Sequence, residues 1–357
     1  MQLQDNKLNF KGQSFFLGLD VHAKNWLVTI RTRDLTLKTY SMDPSPHQLK
    51  RHLTRHYPGG QYHSVYEAGF CGFWIHRSLM ELGIKNMVIN PADVPTTHKE
   101  KRRRRDPVDS SKLSRELANG SLKPIYVPDP FHEELRGLCR LYHKTVLHQT
   151  RLKNRIRSFL HRNNVLVPIR SEVYPWSGRF ISWLSSLKFT HEPGQSYLRY
   201  CLDELHLTRN RIKDILKELR GLSRKPAIEK IVHNYLKSVP GVGFITAMTF
   251  YSEIIDMSRF PTFDQLASFV GLVPDVDASG ERETTTGLTF RRNRHLRHML
   301  VESAWFAVRL DPAMTMKFQE LILRMKKQQA IIRIAKKLLS RMRYVWLHET
   351  SYVKAIV

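Results

Sequence analysis

The sequence predicts an α/β domain built on a mixed sheet, then a long helical hairpin, then a mainly α-helical C-terminal domain. Three observations carry this. Residues 15–42 hold three β-rich runs separated by short polar breaks, residues 62–90 alternate strand, helix and strand, and from Phe131 onward apolar residues recur at three- and four-residue spacing. The corresponding divisions fall at 1–128, 129–224 and 225–357.

The first two runs, within FFLGLDVHAKNWLVTIRT, are broken at His22–Asn25, and LTLKTYS alternates as a third strand, so a hairpin-joined meander is expected. Residues 46–57 read as a helix stopped by Pro58-Gly59-Gly60. A strand at 62–67, a helix near 73–83 and a strand at 86–90 follow. After Pro91 and Pro95 break the chain, a helix runs from about Pro107 to Asn119 and stops at Gly120. In the middle third, Leu135, Leu138, Tyr142, Thr145, Gln149, Leu152, Ile156 and Phe159 form a heptad-like seam weakened by Thr145 and Gln149. A Pro- and Trp-containing stretch, 165–194, interrupts before a second helix over about 196–222 with Leu198, Leu202, Leu205, Ile212, Ile215 and Leu219 on one stripe. An ordinary packed helical subdomain would show much the same pattern. The final helix, roughly 327–348, sets Ile331, Ile334, Leu338, Met342 and Val345 against a basic face that includes Lys336 and Lys337.

Charge narrows the function. The 357 residues carry 58 Lys and Arg against 32 Asp and Glu, a net +26, which points to a polyanion and to nucleic acid before an anionic membrane. No apolar run reaches the ~18–20 residues of a transmembrane helix, and residues 1–11 lack the apolar core of a signal peptide. Cys71, Cys139 and Cys201 are far apart and form no CxxC pair, which fits a reducing, cytosolic setting.

Four acids stand out. Asp20 ends the first strand, Glu67 ends the fourth, and Asp106 and Asp109 share one face at the start of a helix. If the first and fourth strands are neighbours, these carboxylates converge. Such a cluster stays ionised when a divalent cation neutralises it, and oxygen ligands favour Mg²⁺ or Mn²⁺ and phosphoryl-transfer chemistry. Taken singly, each acid reads as a cap or turn residue; Asp106 before Pro107 is a ready N-cap. Lys101, Arg102, Arg103, Arg104 and Arg105 directly precede the cluster and suit a phosphate clamp, although a solvated basic loop is the plain alternative. Arg151, Lys153 and Arg155 continue the basic character along the hairpin.

Further on, SVPGVGFITA resembles a helix-hairpin-helix turn in which Gly241 and Gly243 let backbone N–H groups approach phosphate. A short helix ends at Gly271, and a polar loop containing Ser279-Gly280 then leads into Arg291, Arg292, Arg294 and Arg297. A serine beside a glycine is ordinarily a surface turn. Among arginines it could also serve as a nucleophile toward phosphate, with His295 and His298 as candidate bases whose geometry nothing in the sequence fixes.

The segments FLGLDVHAKNW, VYEAGF and RRDPVDSSKLSREL, followed by SVPGVGFITA, LASFVGLVP and ASG, resemble the DEDD transposase family of minimal insertion sequences, described as bridge-RNA-guided serine recombinases. The resemblance implies an RNase H/RuvC-like N-terminal fold holding Mg²⁺ through Asp20, Glu67, Asp106 and Asp109, with Ser279 matching a serine that links covalently to DNA. It further implies a dimer or tetramer with a composite active site, and a structured noncoding RNA that pairs with donor and target DNA. The sequence departs from the family pattern at Ser110, where alanine is common, and at Arg292, where glycine often stands. Two other readings stay open: a junction endonuclease using the same acids with water, and a non-catalytic nucleic-acid-binding protein.

Overall fold

The structure is a computed structural model that describes residues 9–94, 106–279 and 282–353. The chain forms two compact units, 1–127 and 128–357.

The first unit is a five-stranded sheet. Strands β1 (Ser14–Val21), β2 (Trp26–Arg31) and β3 (Thr36–Met42) form the expected antiparallel meander. Helix α1 (Pro46–His56), capped by Ser45, leads to β4 (Gln61–Glu67), which pairs parallel to β1. Helix α2 (Trp74–Glu81) and β5 (Lys85–Ile89) complete the order β3-β2-β1-β4-β5. This is the RNase H/RuvC-like mixed sheet. Alternation along β1 decides its two faces: Phe15, Leu17 and Leu19 pack with Leu49, Leu53, Ile75 and Leu79 on the α1/α2 side. The opposite face takes helix α3 (Asp106–Ala118), with Leu113 packed on Val65 and Ile89. Gly18 makes that approach possible. A Cβ there would stand 1.9 Å from the Ser110 carbonyl oxygen and 2.6 Å from the Ser114 nitrogen. A chain of hydroxyls locks the same joint, running from buried Ser110, whose Oγ is 2.9 Å from that of buried Thr29, to exposed Thr39, 3.0 Å from Thr29 Oγ1. Ser110, a departure from the family's alanine, therefore has its partner in the sheet, as a buried hydroxyl requires.

The second unit begins with α4 (Pro130–Arg162), which pairs with α6 (Glu192–Leu222) as a helical hairpin. At one end Leu135, Cys139, Ile215 and Leu219 join the large C-terminal core. At the other, Leu152, Ile156, Phe159 and Leu160 pack on Leu198, Cys201 and Leu205. Gln149 of the expected seam is only half-buried. The interrupting stretch is not wholly irregular: it contains α5 (Gly178–Ser186), whose Phe180 and Leu184 close the outer core, and α6 already begins at Glu192.

After a short helical run over residues 226–238 that includes a π-helical turn, α7 (Phe244–Ile254) is buried almost throughout. Helix α8 (Phe263–Val270) has a complete capping box from Thr262 and Gln265 and ends at Gly271, φ +84°. The expected polar loop is instead a two-stranded hairpin, β6 (Pro274–Ser279) and β7 (Arg282–Leu288). Helices α9 (Arg294–Leu310), α10 (Pro312–Ile322) and α11 (Lys327–Leu347) finish the fold, with Ile331, Ile334, Leu338, Met342 and Val345 of α11 buried as expected. Among the described residues no helix is long and apolar enough to cross a membrane. The three cysteines are free thiols.

Candidate active site

The parallel β1–β4 register pairs Leu19 with Tyr66. Continued one residue, it sets Asp20 beside Glu67 at the carboxyl ends of adjoining strands, the edge where open α/β sheets place their ligands. Strand alternation turns both toward the face that Gly18 and Val65 present to α3. Asp109 lies in the first turn of that helix. Electrostatics register the grouping. Burial, then the charge of Asp109 and more weakly that of Asp20, push the Glu67 carboxyl above its usual range, while Lys112 pulls it down. Asp20 also meets His22 Nε2 at 3.2 Å.

Three of the four expected acids are thus assembled on three adjoining elements. The backbone of Asp106 opens α3, but its side chain lies outside the described residues, as do Lys101, Arg102, Arg103, Arg104 and Arg105. Among the described residues no three His, Cys, Asp or Glu side chains are gathered tightly enough to hold a metal ion. The donor set nevertheless fits a hard divalent cation in kind: its members are carboxylate oxygens, and the charges of Asp109 and Asp20 raise the proton affinity of Glu67, a repulsion that a bound cation relieves. Sequence reasoning missed Lys112 and His22. Their signal was spacing: Lys112 is three residues after Asp109 on the same helix, and His22 is two after Asp20.

The second-unit residues have separate settings. Ser279 ends β6, paired with Arg282 at the hairpin tip, and its side chain lies outside the described residues. Beyond the hairpin, the Asn293 side chain accepts from Leu296 N as the N-cap of α9 and donates to Glu253 at 2.8 Å. Glu253, 2% exposed, also receives Arg140 Nε at 2.7 Å and its NH2 at 2.9 Å, with Arg136 at 3.7 Å. Burial alone would raise its pKa; Arg140, Arg136 and Asn293 reverse this and hold the carboxyl below its usual range. Arg297 donates to the Thr289 carbonyl at 3.1 Å, while Arg291, Arg292 and Arg294 are exposed. The His143 and His295 rings lie 5.7 Å apart, tilted by 34° to one another. Burial and then the neighbouring His295 and His298 push the His143 imidazole down to about 4.

Gly241 serves packing: at φ +86° its missing Cβ would lie 2.5 Å from the Ser303 carbonyl of α9. Gly243 is the N-cap of α7, has no side-chain cap and faces open space. Arg151 is exposed, Lys153 half-buried, and Arg155 pairs with Glu204 at 3.3 Å. Lys336 lies over the Phe263 ring at 5.6 Å, and Lys337 is exposed.

A mixed 3-2-1-4-5 sheet with acids at its carboxyl edge defines a protein of the RNase H/RuvC-like class. Comparison with known proteins narrows this. Residues 17–164 match a family model described as Transposase, that of the IS110-type DEDD enzymes, and residues 233–319 match one described as Transposase IS116/IS110/IS902 family. The chain belongs to the DEDD transposase family of insertion sequences. A Sinorhizobium fredii protein provisionally described as transposase y4qE is 29% identical over 67% of this chain and 57% of its own length. A second protein of that organism, provisionally described as transposase y4rJ, is 29% identical over 77% of this chain and 74% of its own. The transposase for insertion sequence element IS1111A of Coxiella burnetii is 26% identical over 66% and 63%. This chain therefore spans less than two thirds of the length of the first and third of these relatives.

Proposed function

We propose that the protein is the transposase of an insertion sequence and cuts and rejoins DNA by phosphodiester transesterification. The observation that carries this reading is the convergence of Asp20, Glu67 and Asp109 at the carboxyl edge of the sheet, in a chain of net charge +26. Asp20, Glu67, Asp109 and Asp106 would hold Mg²⁺, with Mn²⁺ an alternative, and a cation held there supplies positive charge to a scissile phosphate. Glu67, whose proton affinity is raised by burial and by Asp109, is a carboxylate that such a cation would keep ionised.

Ser279 is the proposed nucleophile. Its Oγ forms a bond to phosphorus as the P–O3′ bond breaks; the serine proton passes to a base, and the departing 3′ oxygen takes up a proton to become a hydroxyl. The 3′-hydroxyl of another strand then attacks the phosphoserine, loses its proton, and returns the serine. Arg291, Arg292, Arg294 and Arg297 follow the hairpin in sequence and offer charge to the pentacovalent phosphate. A structured noncoding RNA supplies sequence choice by base pairing, and the working assembly is a dimer or tetramer of this chain.

The test incubates the protein with the element's DNA and RNA in Mg²⁺ and looks for a protein–DNA adduct on a denaturing gel. The adduct is expected with the native sequence and absent with Ser279→Ala, Asp20→Ala or Glu67→Ala. An adduct persisting in Ser279→Ala would remove the serine from the mechanism. Cleavage without any adduct would favour hydrolysis by water. Co-purification of one discrete RNA is expected, and its absence would end the RNA part of the proposal.

A further inference from the structure

The end of the α4/α6 hairpin where the two helices are joined has a chemistry that the carboxylate and serine sites do not use. Residues 151–200 hold nine Lys and Arg against two Glu. Within them Trp176 has φ +66°, a backbone region that a bulky side chain rarely adopts. Arg209 donates to its carbonyl at 2.8 Å and holds it there. Lys153 and Arg157, one turn apart on α4, lie over the indole ring at 5.6 and 5.4 Å. Lys153, Arg157 and Arg209 crowd together with no carboxylate partner among the described residues; after burial, the charges of Arg209 and Arg157 lower the Lys153 pKa. Tyr174, two residues before Trp176, is 62% exposed with Arg170 over its ring, and Tyr200, in the first half of α6, is 66% exposed with Arg199 over its ring.

Local backbone strain of this kind persists where surrounding contacts enforce it, and it concentrates at functional positions. Three repelling cations without a counter-ion call for an anion. Aromatic faces interleaved with guanidinium groups are the means by which proteins hold unpaired bases, one surface for the base and one for its phosphate. Duplex DNA offers no exposed base face to such a platform.

We propose that Trp176, Lys153, Arg157 and Arg209, together with the exposed rings of Tyr174 and Tyr200 at the same end of the hairpin, form a docking site for an unpaired nucleic-acid strand. A phosphate sits on the cation cluster, and bases stack on the exposed rings. The site is independent of the carboxylate cluster, so its failure would leave the transposase reading standing, and the reverse.

The experiment uses the full chain and three labelled probes: a twelve-residue oligo-dT, a twelve-residue oligo-U and a twelve-base-pair duplex. Lys153→Gln with Arg157→Gln, on exposed or half-buried cations, is expected to weaken single-strand binding about tenfold and to lower the log–log salt slope by about 1.4, at ~0.7 for each phosphate contact on a single strand. Duplex affinity should change less than twofold. Tyr174→Ala and Tyr200→Ala, at exposed positions that do not support the fold, should each cost about tenfold on the single strand. Trp176→Phe should retain most of the binding that Trp176→Leu loses. Preference for oligo-U or oligo-dT identifies the strand as RNA or DNA, and either supports the site. Equal losses on duplex and single strand would overturn it. So would unchanged single-strand affinity in all variants, including the case in which the variants alter only the sedimentation of the protein alone, which would assign this surface to another copy of the chain.

Discussion

Gly18→Ala tests the joint on which the carboxylate site is built. The added Cβ would lie 1.9 Å from the Ser110 carbonyl oxygen, 2.6 Å from the Ser114 nitrogen and 3.0 Å from Leu113 Cβ. Carbon–oxygen contacts close at about 3.3 Å, so α3 must withdraw by about 1.4 Å or the strand must bend. Two of the three obstacles are backbone atoms, which cannot swing aside as a flexible side chain can. Withdrawal also stretches the 2.9 Å bond between Ser110 and Thr29. Overpacking costs ~1–3 kcal/mol, and a broken buried hydrogen bond adds ~1 kcal/mol. At ~4 °C per kcal/mol for a unit of this size, thermal unfolding of the first unit should fall by about 10 °C. Because Asp109 rides on α3, a displacement of ~1 Å should reduce strand cleavage about 10²-fold even below the melting transition. Scanning calorimetry and a cleavage assay at 25 °C read both effects. Gly137→Ala is the control: it lies within helix α4 with nothing within 4 Å of the added Cβ, and should stabilise slightly. A Gly18→Ala protein that melts within 1 °C of the native one and cleaves at the native rate would refute the argument that this contact sets the site.

Three further outcomes are expected. Glu253→Ala strands Arg140 in a partly buried position and should cost ~3–5 kcal/mol, read by urea unfolding. Since the folded Glu253 carboxyl is held below its usual range, its contribution is present above the unfolded carboxylate value and fades as pH falls through the lower folded one; the acid limb of the stability profile should flatten in Glu253→Gln. His143, held near 4, stays neutral in the folded protein while the unfolded chain takes up a proton below about 6.5; stability should therefore decline from there down to about 4, and His143→Gln should remove that slope. Glu67 is opposite in sign. Its raised carboxyl gives stability that is full below the unfolded value and lost as pH rises through the folded one, so Glu67→Gln should melt higher than the native protein at neutral pH without metal and lose the Mg²⁺-induced rise in melting temperature.

Much of the first unit was legible because its signals are local. Asp20 and Glu67 each close an apolar run, and Pro107 and Gly120 bracket α3, so the acids and their elements could be read without the fold. The hairpin over 274–288 was not legible as strand. Its Asp, Ser and Glu residues disguise the alternation, and the pairing becomes evident only when Pro274 meets Leu288. Helix α5 was hidden behind Pro175 and Trp176, which read as irregular chain. Glu253 gave no signal at all: it is one acid in the apolar helix FITAMTFYSEI, and the arginine that satisfies it lies 113 residues earlier. Long-range pairing of that kind is written in the tertiary structure and not in any window of sequence.

Helix α4 runs 33 residues without a proline beyond its first position, about 50 Å of unbroken rod. Near one end Arg140 is clamped to Glu253, and Glu253 in turn grips Asn293, the N-cap of the helix that follows the Ser279 hairpin. Some 22 residues further on, roughly 33 Å at 1.5 Å per residue, the rod reaches the bend that leads to Trp176. A tilt of about 5° around the clamp would swing the far end through ~3 Å. One unbroken rod thus ties the outer bend of the hairpin, through a buried ion pair, to the residue that starts the helix following the serine segment.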